Sequence, residues 1–291
     1  KKGYDIIYAT CPFVVETYCA RTIARRLGVP WVVKIQHVLS TQSQRTGLIN
    51  RLLLWGETKS AKWANRDAAK IFCLSPPVSR DYKTLEEQLG LEASDTETIG
   101  SSINLDQFSV LLESEKKYDV VFLGRMHLLK GVFDLPDVWA QVRRNYPEAT
   151  LTVIGEGPHR GAVMTQFVER GLMEGVRFVG SVSEGEKNRL LSEARIGLSL
   201  SSEEGWGLAV NEAMASGTGV IVSDQVGAAY DLVDEHTGIV TPAGDLDGLT
   251  AAITSGLQRS DEMGRAAAAK IQSWGLAADL DGLKAAAAGV A

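Results

Sequence analysis

Residues 196–222 have the sequence Ile-Gly-Leu-Ser-Leu-Ser-Ser-Glu-Glu-Gly-Trp-Gly-Leu-Ala-Val-Asn-Glu-Ala-Met-Ala-Ser-Gly-Thr-Gly-Val-Ile-Val. The apolar runs at residues 196–200 and 219–222 predict two buried strands, and the segment between them predicts a glycine turn that opens a helix. Because a strand, a crossover helix and a second strand form a parallel unit, this stretch predicts an α/β fold.

The same alternation of short apolar runs and helical segments extends along most of the chain. Further strands are predicted at residues 5–9, 31–35, 71–74, 118–123, 149–154 and 176–179. A polar stretch over residues 100–117 interrupts the alternation, so we expect two doubly wound Rossmann-like domains. The predicted division is residues 1–112, residues 113–272 and a C-terminal helix over residues 273–291. The first domain has only about three predicted strands, so we expect it to be incomplete, without its opening strands.

The composition is that of a globular protein rather than a fibrous or disordered one. The chain has 291 residues, of which 45% are hydrophobic and 23% charged, and it contains 3 cysteines. So few cysteines argue against a disulfide framework and favour a reducing cytoplasm. The net charge of -6 argues against nucleic-acid binding. Residues 1–75 nevertheless carry 12 basic and 4 acidic side chains, which indicates either a face for an anionic partner or two domain faces whose charges balance across a cleft.

The densest chemical signal is the turn between the two strands quoted first. Gly205 and Gly207 open a helix, and a helix N-terminus offers unpaired N–H groups that bind phosphate. Glu204 and Glu212 flank this turn with seven residues between them. Carboxylates accept directed hydrogen bonds, as sugar hydroxyls require. The alternative interpretation is an ordinary strand–helix turn with a capping glutamate.

Two further groups of residues follow predicted strands. Arg125 and Lys130 come after the strand at residues 118–123 and suit a diphosphate, although two solvated cations on a loop are the alternative. Gly155, Ser181 and Val182 also follow strands, where backbone groups meet ligands in open α/β sheets. Most glycine turns, however, are only turns.

Two remaining candidates are a histidine and an acidic pair. Gln36 and His37 follow the strand at residues 31–35, where a histidine is more often structural than catalytic. Asp245 and Asp247 have the spacing of a metal-binding pair, but caps and first-turn acids of a helix explain both residues. We therefore expect no metal site.

These residues together resemble the retaining glycosyltransferases of family four, or glycosyltransferases group 1, which have the GT-B fold of two Rossmann-like domains facing a cleft. The strongest similarity is the family's Glu-x-Gly-Phe-Gly pattern with a second glutamate, here Glu204-Gly-Trp-Gly-Leu-Ala-Val-Asn-Glu212. The family also matches, in order, Asn-Leu-Asp-Gln-Phe at 104–108, Gly124-Arg125 with Lys130-Gly131, Ile-Gly-Glu-Gly-Pro at 154–158 and Thr-Gly-Ile-Val at 237–240. The resemblance extends from about Tyr4 to Trp274.

The resemblance implies a role for each matching residue. The implied donor-binding residues are Gly124, Arg125, Lys130, Ser181, Val182, Gly205, Trp206, Gly207, Leu208 and Glu212. Among them, the two cations would neutralise the diphosphate, Glu212 would bind ribose hydroxyls, and Ser181 and Val182 would meet the base. The implied catalytic residues are Glu204, on the donor-sugar hydroxyls, and His37, from the acceptor-side first domain. The helix after Trp274 would return to the first domain.

The implied function is a hexosyltransferase. It would move a hexose-type sugar from a nucleotide-diphosphate sugar to a glycan or lipid-linked acceptor, with retention of configuration and with neither metal nor cofactor. Two alternatives remain open: a nucleotide-sugar-binding fragment or inactive partner subunit, and a GT-B nucleotide-sugar epimerase. The expected location is the cytoplasm, with peripheral contact at the inner face of the membrane.

The sequence departs from the family pattern at several places, among them residues 227–231, where Gly-Ala-Ala-Tyr-Asp replaces the family's Gly-Gly-x-Pro-Glu, and the start of the chain, where the family's glycine-rich loop has no counterpart. Trp206 replaces the usual Phe, and Gln36 occupies the position of the family's histidine, with His37 one residue later. Because a shift of one residue on a strand turns the side chain to the other face, either Gln36 or His37 could face the cleft.

The basic first half also has a candidate membrane segment. Residues 44–55 combine arginines with leucines and Trp55, and Lys59 and Lys62 follow. This pattern is typical of a helix that lies on an anionic membrane. The alternative is a core-packing helix with a solvated cationic side.

Overall fold

The computed structural model describes residues 3–39, 47–111 and 115–277, together with residues 280 and 284. The chain forms two compact units, one of Lys1–Ser101 with Ala277–Ala291 and the other of Ser102–Leu276. Residues 112 and 113, where the sequence predicts the boundary, lie outside the described residues, as do residues 44–46 of the candidate membrane segment. Most of the predicted C-terminal helix over 273–291 also lies outside them.

Residues 102–111, which the sequence analysis assigns to the first domain, pack on the second unit. Ile103 forms a parallel bridge with Gly275. The side-chain amide of Asn188 donates to the Gln107 carbonyl oxygen at 2.9 Å. The segment mixes apolar and polar residues without a strand or helix period, so a hydrophobicity pattern does not predict this packing.

The first unit is a parallel sheet with a helix between successive strands. Its strands are β1 (Ile7–Ala9), β2 (Trp31–Ile35), β3 (Lys70–Cys73) and β4 (Thr96–Thr98), in the order β1-β2-β3-β4. Its helices are α1 (Val14–Leu27), α2 (Leu48–Asp67) and α3 (Pro76–Gln88). The expectation of about three strands is therefore wrong, because it missed β4. This strand is short and polar and lacks the apolar run that marks a buried strand.

Local sequence signals set the ends of these helices. Gly28 ends α1 in the left-handed conformation, with φ of 71°. Such a C-terminal glycine releases the chain toward β2. At α3, the Ser75 hydroxyl oxygen accepts from the Val78 N–H, and a proline occupies the first turn. Both signals could be found in the sequence.

The second unit is a six-stranded parallel sheet in the order β7-β6-β5-β8-β9-β10. Its strands are β5 (Tyr118–Leu123), β6 (Leu151–Ile154), β7 (Val176–Gly180), β8 (Ala194–Ser199), β9 (Gly219–Ser223) and β10 (Gly238–Thr241). Its helices are α4 (Leu135–Asn145), α5 (Arg160–Glu169), α6 (Glu184–Ser192), α7 (Leu208–Ala215), α8 (Ala229–Leu232), α9 (Leu246–Gln258) and α10 (Ser260–Ile271). Counted from β5, this is the Rossmann strand order, and it confirms the predicted doubly wound α/β architecture.

The strand order reverses between β5 and β8, which are neighbours in the sheet. Ligands of open α/β sheets bind outside the carboxyl ends of the strands at such a reversal. Phe122 of β5 and Trp139 of α4 are each 1% exposed, and Ile196 of β8 is fully buried. A densely packed core therefore holds the loops that follow β5 and β8 at a defined edge of the sheet.

Candidate functional site

The loop after β5 carries Arg125 and is held by the turn after β6. The Gly124 N–H donates to the Ile154 carbonyl oxygen at 3.1 Å, and the Met126 N–H donates to the Glu156 oxygen at 2.9 Å. A Cβ atom at Gly155 would lie 2.0 Å from the Gly124 carbonyl oxygen. Only glycine permits this approach, so the Gly-Glu-Gly turn fixes the backbone that presents Arg125.

Lys130 is brought to Glu204 by a close contact between the loops after β5 and β8. A Cβ atom at Gly131 would lie 2.3 Å from the Leu200 carbonyl oxygen. The Ser202 N–H donates to the Leu129 oxygen at 2.9 Å. These contacts place the Lys130 ammonium against the Glu204 carboxylate as an ion pair. A cation and a glutamate that are 74 residues apart in the chain therefore meet at the reversal of strand order.

The electrostatics of this corner are cationic despite the glutamate. Burial and the neighbouring Arg125 cation lower the pKa of Lys130, whereas the Glu204 carboxylate in contact with it favours the charged form. Arg125 is exposed, and within the described part of the chain no carboxylate forms an ion pair with it. Its guanidinium is therefore available for an anionic ligand.

The glycine turn after β8 presents backbone N–H groups at the start of α7. The Gly227 N–H donates to the Glu204 carbonyl oxygen at 3.0 Å, which ties the turn to the loop after β9. In the described structure, the N–H groups of Gly205, Trp206 and Gly207 donate to no backbone acceptor. Leu208 is the first residue of α7 and is 46% exposed. Free N–H groups at a helix N-terminus are a site for an anion.

The Trp206 side chain points into the protein rather than into this corner. Its indole is 3% exposed, and its N–H donates to the Asn211 side-chain oxygen at 2.8 Å. The ring also lies against that of Trp274, with 5.3 Å between the centroids. Trp206 can therefore contribute a backbone N–H to a ligand, while its buried side chain packs beneath the turn and stabilises it.

Glu212 projects from the second turn of α7 and is paired with a lysine that sequence reasoning missed. The Lys187 ammonium lies 2.8 Å from Glu212 Oε1 and 2.7 Å from Glu184 Oε2. Burial opposes the charge, but the hydrogen bonds that the ammonium donates to the two carboxylates outweigh burial and raise the pKa of Lys187. Lys187 is one of several charged residues in the segment 184–189 and belongs to no motif, so the sequence did not single it out.

Ser181 and Val182 follow β7, the edge strand of the sheet. Ser181 is exposed and Val182 is half-buried. Helix α6 begins two residues later and carries Lys187 to Glu212. The segment expected to meet the base is therefore joined to the expected ribose glutamate by one short helix.

His37 belongs to the first unit, where it borders an apolar hollow of about 250 Å³ together with Phe13, Val15 and Leu52. Its ring contacts that of Phe13 edge-on, with 6.0 Å between the centroids. The Gln36 side-chain amide donates to the Thr10 carbonyl oxygen at 2.9 Å, so Gln36 already has a partner. The catalytic role of His37 remains a prediction.

Asp245 performs the capping role expected of it. Its side chain accepts from the Gly248 N–H at 2.9 Å at the start of α9. Asp247 lies in the first turn of the same helix.

The second unit matches a known family over most of its length. The model of the family described as Glycosyl transferases group 1 matches residues 104–272. The chain belongs to this family. The match begins close to the start of the Ser102–Leu276 unit and contains every predicted donor-binding residue. It includes the Lys130–Glu204 ion pair and the Lys187–Glu212 ion pair.

Relatives within and around this family support the assignment. Glycogen synthase of Mycobacterium tuberculosis is 31% identical over 137 residues, which cover 47% of this chain and 33% of that protein. Phosphatidyl-myo-inositol mannosyltransferase of Mycobacterium leprae is 29% identical over 180 residues, covering 60% of this chain and 47% of the relative. The chain therefore spans about a third to a half of the length of these relatives.

Solved structures share the fold over nearly the whole chain. HepE of Anabaena in complex with UDP and glucose has a TM-score of 0.75 at 20% identity and covers 98% of this chain and 78% of its own. Sucrose-phosphate synthase of Thermosynechococcus elongatus has a TM-score of 0.75 at 22% identity, and the match covers 98% of this chain and 73% of the synthase chain. These similarities confirm the GT-B fold. No helix in the described residues has both the length and the hydropathy that crossing a bilayer requires.

Proposed function

We propose that this chain transfers a hexose-type sugar from a nucleotide-diphosphate sugar to a glycan or lipid-linked acceptor, with retention of configuration and without a metal ion. The observation that carries the proposal is the corner formed by Arg125, the Lys130–Glu204 ion pair and the glycine turn before α7. This corner lies at the reversal of strand order in a member of the Glycosyl transferases group 1 family.

The proposed chemistry follows from the charge of the leaving group. When the bond between the sugar and the diphosphate breaks, negative charge grows on the diphosphate. Arg125, Lys130 and the N–H groups of the glycine turn would stabilise that charge, because they are held in place before the reaction begins. These groups would thus stabilise the leaving diphosphate, as a metal ion does in metal-dependent enzymes. Glu204, beside Lys130, would accept hydrogen bonds from donor-sugar hydroxyls.

Nucleotide binding is the first test. Wild-type protein would be titrated calorimetrically with UDP, GDP and ADP, and then with the free nucleoside of the tightest ligand. Arg125→Ala should weaken diphosphate binding at least tenfold, because the lost partner is charged, and leave nucleoside binding unchanged. Arg144→Ala is the matched control, since this exposed arginine lies near the C-terminal end of α4. An equal loss for diphosphate and nucleoside would contradict the phosphate role.

Transfer is the second test, and it separates the proposal from its alternatives. A nucleotide sugar with a labelled hexose would be incubated with a cell glycan or lipid extract, with and without EDTA. Label in a larger product, with the anomeric configuration kept, supports the transferase. Release of free sugar and nucleotide indicates the epimerase, and binding without turnover indicates the inactive binding subunit. His37→Ala should lower transfer while leaving nucleotide affinity unchanged, because His37 belongs to the other unit.

The first unit carries a surface that suits the proposed membrane contact. Leu48, Leu52 and Trp55 are 73%, 62% and 57% exposed on one face of α2. The buried residues of the helix are the small Gly56, Ser60, Ala61 and Ala64, so these three large apolar side chains lie outside its buried face. The Lys59 ammonium lies 6.0 Å from the centre of the Trp55 ring, on the same face. Apolar side chains beside cations favour an anionic bilayer surface.

Vesicle sedimentation tests this contact. The protein would be spun with phosphatidylcholine vesicles that either contain or lack phosphatidylglycerol. Wild type should sediment mainly with the anionic vesicles, and Leu52→Ser with Trp55→Ser should reduce that fraction several-fold. Val168→Ser provides the control, because Val168 is 62% exposed in the second unit. Equal and negligible sedimentation with both vesicles would remove the membrane contact from the proposal.

A further inference from the structure

Each glutamate of the family motif has its own lysine from a different part of the unit. Glu204 pairs with Lys130, from the loop after β5, and Glu212 pairs with Lys187, from α6. The two glutamates would otherwise repel an incoming diphosphate. Pairing each with an ammonium removes that repulsion and leaves Arg125 as an additional cation.

Lys187 is held in place from both ends of its side chain. At the backbone, its N–H donates to the Ser183 oxygen at 2.8 Å, and the Ser183 hydroxyl caps α6 by accepting from the Glu186 N–H at 3.3 Å. At the other end, the ammonium bridges Glu212 and Glu184. The Lys187 side chain is only 12% exposed and that of Glu212 18%. Moving the lysine away would leave a largely buried carboxylate without its partner, which is costly.

The chemistry of the pair matches two neighbouring hydroxyls. A carboxylate has two oxygens that accept hydrogen bonds, and Lys187 occupies Glu212 Oε1. The second oxygen can accept from one hydroxyl, while a remaining N–H of the ammonium donates to the oxygen of the next. A cis-diol, such as the 2′ and 3′ hydroxyls of ribose, offers this combination, whereas a 2′-deoxyribose has only one of the two hydroxyls.

We propose that Lys187 is a specificity-determining residue that, together with Glu212, makes the site select ribonucleotides over 2′-deoxyribonucleotides. The inference rests on the proposed function, because it places the ribose of the donor at Glu212. It also gives α6 a role, since this helix starts just after Ser181 and Val182 and carries Lys187 from the base segment to the ribose carboxylate.

The experiment compares matched nucleotides across matched variants. Wild type, Lys187→Met, Lys187→Arg and Glu184→Ala would each be titrated with UDP, GDP and ADP and with the corresponding 2′-deoxynucleoside diphosphates. Glu184→Ala is the control, because the Glu184 side chain is 77% exposed and its removal leaves the Lys187–Glu212 contact in place. Thermal unfolding of each variant checks folding, and Lys187→Arg keeps a cation if the methionine variant does not fold.

Wild type should bind the ribose form about tenfold or more tightly than the deoxy form, as expected for a hydrogen bond to a charged group. Lys187→Met should lower affinity for the ribose form by a similar factor and leave the deoxy form nearly unchanged, so that the preference disappears. Glu184→Ala should keep the preference, and Lys187→Arg should keep part of it.

Three results would overturn the inference. An equal loss of affinity for both forms in Lys187→Met would assign the lysine a purely structural role. A gain in affinity would show that the lysine competes with the nucleotide for Glu212. A wild type that binds ribose and deoxyribose forms equally would remove the selectivity itself. Failure of the wild type to bind any nucleotide would instead overturn the proposed function on which the inference depends.

Discussion

The turn at Gly131 provides the sharpest test of how the second unit builds its cationic corner. Gly131 has φ of 67°, and a Cβ atom there would lie 2.3 Å from the Leu200 carbonyl oxygen. Gly131→Ala would therefore add two costs, a left-handed alanine and a clash with backbone that cannot rotate away. Gly244 also has a positive φ, of 80°, but a Cβ atom there would meet nothing within 4 Å. Gly244→Ala isolates the conformational cost.

The expected magnitudes differ enough to be resolved. A left-handed alanine costs about 1–2 kcal/mol, so Gly244→Ala should lower the free energy of unfolding by about that much. Overpacking adds about 1–3 kcal/mol, so Gly131→Ala should lower the free energy of unfolding by about 2–5 kcal/mol. Relief of the clash by backbone movement would separate Lys130 from Glu204. Gly131→Ala should therefore also weaken nucleotide-diphosphate binding, and Gly244→Ala should not.

Urea unfolding followed by circular dichroism measures the free energy of unfolding. Calorimetric titration with the tightest nucleoside diphosphate measures the nucleotide affinity. If the two variants lost the same stability and bound nucleotide equally well, the close approach of the loop after β5 to the end of β8 would not matter. The account of how the sheet assembles this corner would then be wrong.

Three further predictions concern residues around the same sheet and the first unit. Asp245→Ala should lower the free energy of unfolding by about 1 kcal/mol in the same urea assay, because α9 loses its N-cap, and an unchanged midpoint would contradict that role. Trp206→Phe should lower the free energy of unfolding by about 1–3 kcal/mol, because it removes the hydrogen bond from the buried indole N–H to the Asn211 side-chain oxygen and puts a smaller ring in the core, while calorimetry should find nucleotide affinity retained; a fall in affinity larger than the stability loss explains would mean that the indole contacts the ligand. Burial raises the pKa of the Cys73 thiol to about 12, so at pH 8 a maleimide should label the exposed Cys19 and leave Cys73 unmodified, as mass spectrometry would report; rapid labelling of Cys73 would show that β3 opens.

Strands and helices with a strong local pattern could be predicted closely. The strand at residues 31–35 and the strand at residues 118–123 have the bounds that the sequence predicts. Two strands, β4 and β10, were not predicted. Strand β4 has the polar sequence Thr-Glu-Thr, and it forms because it pairs with β3 in a parallel ladder. Pairing of that kind depends on a neighbour in space, so no local pattern could reveal it.

Some features of the candidate site could likewise be predicted from the sequence, and others could not. The glycine turn and the residues Arg125, Lys130, Glu204 and Glu212 could be selected from the sequence, because they follow strands and have the chemistry of phosphate and sugar ligands. The ion pairs that these residues form could not be predicted from the sequence. Lys130 meets Glu204 across 74 residues, and Lys187 meets Glu212 across 25. The burial of the Trp206 indole beneath the turn was equally invisible, since it depends on Trp274.

The sequence by itself determined the alternation of strands and helices, the family, and the set of polar residues at strand ends, because hydrophobic period and glycine turns are local properties. The tertiary structure alone decided which charges meet, which lysine neutralises which glutamate, and which apolar side chains of α2 remain exposed. Those outcomes depend on strand order and on loop-to-loop approaches of a few ångströms, which are set only when distant segments pack.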